Sequence, residues 1–220
     1  MPTPGLTAPV WRTRRSAAVA GIVFALLLLV AMILTRLALD DADPESLRVN
    51  AARRDQIRLG LHLVPFAGIA FIWFIGVVRD QIGAVEDRLF STVFLGSGLL
   101  FVALIFVGAV YTATLLSLLD RPPTDPEIWL FGRDFTRTLI SVYAMRMAAV
   151  FTLSVCTLGL RVGAFPRWVA FTGYAAALIL LTAAGDHKWT QLVFPTWVLL
   201  LSTIILITNP HHPAPEARRG

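Results

Sequence analysis

Charge is scarce in this sequence. Only 15% of the 220 residues are Asp, Glu, Lys or Arg, where a soluble domain carries about a quarter, and mean hydropathy is +0.71. That balance excludes a disordered chain and an ordinary soluble enzyme. Cysteine is reduced to Cys156, which lies inside an apolar run. An intrachain disulfide scaffold is therefore excluded, as is a zinc or iron–sulfur site built on cysteine alone; a small buried apolar filler is the expected role. Lysine is almost missing: Lys188 stands alone beside 18 arginines. These are scattered one to four at a time between apolar runs rather than gathered on one face, so no nucleic-acid partner is expected. Nucleotide P-loop, His-Glu-x-x-His, Cys-x-x-Cys and Gly-x-Ser-x-Gly patterns are all lacking, and no catalytic, cofactor-binding or metal-ligating set is assigned.

What is present is apolar helix. A hydrocarbon core about 30 Å thick needs roughly 20 apolar residues, and six stretches meet or approach this: residues 17–39, 61–78, 90–119, 139–160, 168–184 and 192–208. The fold class is therefore all-α, a polytopic transmembrane bundle of about six helices with one or two interfacial amphipathic helices. Residues 1–16 form a basic N-terminal segment, residues 17–208 the membrane domain, and residues 209–220, with His211 and His212, a disordered polar tail. The first run follows Arg12, Arg14 and Arg15 as a signal peptide would, but it is too long for an h-region and reads as an uncleaved helix. Pro65 is expected to start or kink the second helix.

The two longer connections each contain Asp-Pro-Glu: Asp43-Pro44-Glu45 and Asp125-Pro126-Glu127. Aspartate caps, proline suits the first helical position and glutamate complements the dipole, so a helix should start at each. After the second, Ile128, Phe131, Phe135 and Leu139 recur at helical spacing with Arg133, Asp134 and Arg137 between them, an amphipathic collar on the interface or an extension of helix four. The recurrence hints at a repeat of helix pairs, as transporters have; a common helix start occurring twice is the plainer account.

Arginine and lysine number nine on the side of the termini and eight on the other. The basic flank of the first helix and the acid-free turn between Arg161 and Arg167 favour cytoplasmic termini. Trp11, Trp129, Trp168 and Trp189 fall near helix ends, as in an aromatic belt. Gly96-Ser97-Gly98 and the stripe Ala109, Ala113, Ser117 suit close helix packing, within the chain or in a homo- or hetero-oligomer.

Arg146, seven residues into helix four, is the costliest charge at about 2–3 kcal/mol. The candidate polar cluster gathers Arg146, Tyr143, Asp120, Asp186, Tyr111 and His62, with Thr112 and Thr114 towards the same side. It has two readings: an outward-facing pocket for a lipid headgroup or small anionic solute, or a snorkelling arginine with one interhelical ion pair. Arg36, near the end of helix one, reads as a snorkelling anchor one turn from Asp40.

The stretch LGLHLVPFAGIAFIWFIGVVRDQIGAVEDRLFSTVFLGSGLLFVALIFVGAV, residues 59–110, resembles uncharacterised small multi-pass membrane proteins of bacteria, of the actinobacterial type. The resemblance implies a bacterial cytoplasmic (inner) membrane and assigns no residue a role. The leading expectation is a non-enzymatic membrane-embedded binding or assembly subunit, with a small-solute or ion transporter next and a membrane-embedded enzyme third.

Overall fold

The computed structural model describes residues 10–39, 44–82, 88–120, 125–183, 185, 187 and 189–207. Among them every regular element is helical: α1 (Val10–Leu39), α2 (Pro44–Val49), α3 (Ala51–Ile82), α4 (Arg88–Leu118), α5 (Pro126–Thr138), α6 (Met145–Val162), α7 (Arg167–Thr182) and α8 (Val193–Ile207). A π-helical turn, Leu139–Ala144, joins α5 to α6 without a break, and a 3-10 turn, Thr190–Leu192, leads into α8.

Five segments are long and apolar enough to cross a membrane: Ser16–Leu39, Ala51–Arg79, Ser91–Leu118, Pro126–Val162 and Thr190–Ile207. The sixth apolar helix, α7, has 16 residues and is about 24 Å long. The chain is a helical membrane bundle.

Both Asp-Pro-Glu triplets precede helices. Asp125 is the N-cap of α5, its Oδ1 accepting from the Glu127 N–H at 2.9 Å, and Pro44 opens α2. The second helix starts earlier than the apolar run suggests: α3 begins at Ala51 and continues through Pro65, which lies on its exposed face. α1 likewise begins at Val10, within the basic N-terminal segment. α6 ends where Gly163 turns left-handed at φ 61°, a conformation that suits glycine, and the Ala164 N–H closes on the Gly159 carbonyl at 2.9 Å.

The centre of the bundle is aromatic. Phe24, Phe71, Phe74, Phe94, Phe101, Phe151 and Phe194 come from α1, α3, α4, α6 and α8, and all are fully buried. Ring centroids lie 4.4 Å apart for Phe24–Phe71, 4.9 Å for Phe101–Phe194 and 5.0 Å for Phe94–Phe151, with tilted, edge-on and stacked arrangements. Helices can close this tightly because small residues face the contacts. A Cβ on Gly21 would run into Ser202 of α8 and Phe74 of α3. Cys156 is buried in α6 beside Gly173 of α7.

The expected small-residue faces divide. Gly98 abuts Ile75 and Phe151, whereas Gly96 has open space beside it and Ala113 and Ser117 are exposed.

A second, smaller cluster sits at the end of the bundle where α2, the start of α3, the end of α4 and α5 meet. It holds Ala38, Leu47, Ile57, Leu115, Leu116, Leu119 and Trp129. Trp129 is thus a core side chain at 2% exposure rather than a belt residue, while Trp168 and Trp189 are exposed at helix ends. The side chain of Trp11 lies outside the described residues. The Pro126–Val162 rod is about 55 Å long and outreaches the hydrocarbon, so part of it leans or projects.

Candidate functional site

Between the two clusters lies a cavity of about 240 Å³. Leu28, Met32, Val64 and Ile105 form its apolar depth, and Phe24 and Phe101 stand one turn below Leu28 and Ile105. Its charged lining comes from Arg36 of α1 and from Arg133 and Arg137 of α5. Among the described residues no Asp or Glu lines it.

α5 places its arginines there by turning inside out. Trp129, Arg133 and Arg137 follow each other at intervals of four, on one helical face. With Thr136 they face the cavity, while Ile128, Phe131 and Phe135 are exposed on the other side. Gly132 sets the approach: a Cβ there would meet Leu115, so α5 lies close on α4. Tyr111 stacks on Phe135 with centroids 4.8 Å apart and helps hold that outward face.

Arg36 is held rather than loose. Its Nη2 and Nε donate to the Gln191 side-chain oxygen at 2.6 and 2.9 Å when the carboxamide is turned towards the guanidinium. Gln191 is itself buried, on the 3-10 turn before α8. Arg133 has a loose contact at 3.7 Å to its own neighbour Asp134, which is exposed. Arg137 has no carboxylate partner among the described residues.

Three of the four hydroxyls in the described wall are already committed as donors, the fourth being Ser141. Thr35, Thr112 and Thr136 donate to the carbonyls of Ala31, Gly108 and Gly132, at 2.6, 2.8 and 3.0 Å. The Trp129 indole N–H, by contrast, is buried with no acceptor. The cavity therefore offers guanidinium donors and the Ser141 hydroxyl to whatever enters it and, among the described residues, no carboxylate.

No known protein family, curated protein or solved structure matches the chain. The site is accordingly read from its own chemistry.

Of the residues expected to cluster around Arg146, Thr112 alone lines the cavity. Arg146 and Tyr143 are exposed on the outer side of α6 and the π turn, because Ser141, Ala144, Met145, Ala148 and Ala149 take the inward positions. His62 is exposed on α3, and Tyr111 packs outside the cavity. Asp120 meets Arg54 at 3.3 Å instead of Arg146. Asp186 lies outside the described residues, as do Asp40, His211 and His212. The fixed charges at the cavity are thus Arg36, Arg133 and Arg137. Arg36 had the look of a lipid anchor, and Arg133 and Arg137 of a solvated collar; their convergence needs α1 and α5 side by side. The four-residue spacing of Trp129, Arg133 and Arg137 was the available signal. Among the described residues no three His, Cys, Asp or Glu side chains gather as a metal site would need.

Arg54 and Arg48 serve the frame. Arg48 Nε donates to the Leu119 carbonyl at 3.1 Å, and with the Arg54–Asp120 pair this ties α2 and α3 to the end of α4.

Proposed function

We propose that the protein is a non-enzymatic, membrane-embedded binding subunit whose ligand is an anion held at the Arg36–Arg133–Arg137 cavity. One observation carries this: three arginines face a single cavity whose lining, among the described residues, holds no acid. Arginine presents a fixed fork of donors suited to phosphate and carboxylate, and charged side chains turned inward within a membrane bundle mark functional sites. The buried phenylalanines below the cavity favour binding over passage, since a transport route needs a polar path between the two faces.

On this reading the membrane is the bacterial cytoplasmic membrane and both termini are cytoplasmic, which opens the cavity on the outer side. The arginines flanking α1 support that orientation.

The test is a thermal-shift series on the purified protein in mild detergent, with phosphate, sulfate, carboxylates and anionic lipids as additives. At least one anion should raise Tm by several degrees, and the shift should vanish in R133Q/R137Q but persist in R146Q. No stabilising anion, or a shift indifferent to R133Q/R137Q, sinks the proposal.

A further inference from the structure

The cavity's depth and its unused donor point to the kind of anion. From Arg36 the lining descends two helical turns of α1 through Met32 to Leu28, about 12 Å, with Val64 and Ile105 opposite. Apart from the Ser141 hydroxyl, that part of the cavity presents apolar side chains to a ligand, and a small hydrated anion gains little from it. At the other end, Trp129 lines the same cavity, and its indole N–H is buried with no acceptor among the described residues. It stands one turn from Arg133 and two from Arg137, so the three donors form a row about 12 Å long. A buried unpaired N–H is costly and calls for an acceptor.

An acceptor-rich anionic head joined to an apolar chain matches both halves. The outward face of α5, with Ile128, Phe131 and Phe135, is apolar and exposed, so the wall that bears the arginines is itself suited to lipid contact.

Building on the anion-binding reading above, we infer that the ligand is a phosphate-bearing membrane lipid. Its phosphate oxygens lie along Trp129, Arg133 and Arg137, and one acyl chain enters the space between Met32, Val64 and Leu28. The rest of the lipid stays in the bilayer.

Three probes on the protein in dodecyl maltoside separate the sources of such chemistry: phosphatidic acid, inorganic phosphate, and diacylglycerol with the same chains. Native mass spectrometry reports retained lipid, and a competition titration reports affinity. Phosphatidic acid should be retained one to one and bind at least tenfold tighter than either other probe. R133Q/R137Q should abolish its retention. W129F, which keeps an aromatic ring but removes the N–H, should weaken it about tenfold, and gel filtration checks that each variant remains folded.

If inorganic phosphate binds as tightly as phosphatidic acid, the lipid inference is overturned and the anion site stands. If diacylglycerol binds as tightly as phosphatidic acid, or if none of the three binds, the lipid inference is overturned, and the anion-binding reading falls with it when no anion in the thermal-shift series stabilises the protein. Full binding by W129F also overturns the placement of the head on the Trp129 row.

Discussion

The two ends of this bundle are built on opposite terms. The phenylalanine centre has every ring buried against others and no charge among its buried residues, although the Trp197 indole N–H and the Ser202 hydroxyl are buried in it without partners among the described residues. The cavity end, by contrast, keeps open volume and three arginines beside the Trp129 indole. In a membrane, lipid tails are as apolar as the core, so the centre is held by packing rather than by escape from water. The cavity end forfeits packing contacts and keeps unpaired donors, both of which lower stability. The difference teaches where to look for function: stability is concentrated in one region and binding capacity in the other.

The sharpest way to break this comparison is to remove packing from the centre. Phe71→Ala deletes the ring that touches Phe24, Phe74, Phe101, Phe151 and Phe194. It should cost about 3–5 kcal/mol in denaturant titrations of the detergent-solubilised protein, with ligand affinity of the folded fraction unchanged. A loss below about 1 kcal/mol would mean the centre is not the stabilising region.

Gly132→Val should link the regions. Its side chain would collide with Leu115 and push α5 from α4, destabilising by roughly 1–3 kcal/mol and weakening ligand binding at the same time. Stability lost with binding intact would show that α5 can shift without disturbing the arginine row.

Trp129→Phe should separate stability from binding. Removing a buried donor that has no partner relieves its desolvation cost, and the smaller ring loses packing, so the two offset and the ligand-free protein should change by less than about 1 kcal/mol in the same titrations while its affinity falls. A loss of several kcal/mol in the ligand-free variant would show that the indole N–H is satisfied in solution.

The smallest effect belongs to the frame. Asp120 is exposed, so Asp120→Ala should cost at most about 1 kcal/mol at low ionic strength, and the difference from the parent should fade as salt is added. A larger, salt-insensitive loss would identify the Arg54–Asp120 pair as a true staple of the cavity end.

The fold was legible because its signals are local. Apolar runs marked the helices, and Asp125-Pro126-Glu127 marked the start of α5 to the residue, since capping depends on neighbours in sequence. The site was not. Arg36, Arg133 and Gln191 lie on three separate segments and meet only through the packing of α1, α5 and the turn before α8. Arg146 attracted attention by its depth in an apolar run, but depth along a helix says nothing about which side a residue faces. The stripe Ile128, Phe131, Phe135 was visible too. In a soluble protein such a face turns inward; here it is exposed, and the polar face lines the interior.

The π-helical turn at Leu139–Ala144 has a consequence for evolution as well as for shape. A wide turn of this kind holds one residue more than the helix needs. The wide turn absorbs that residue, so α5 keeps the phase relative to α6 that an unbroken helix one residue shorter would have. Deleting the residue would restore the 3.6-residue spiral and leave Arg133 and Arg137 on the inward face. Inserting a residue in the regular part of α6 or α5 has no such buffer and would swivel one against the other by about 100°. Chains otherwise alike but one residue shorter in the wide turn should keep both the bundle and the ligand.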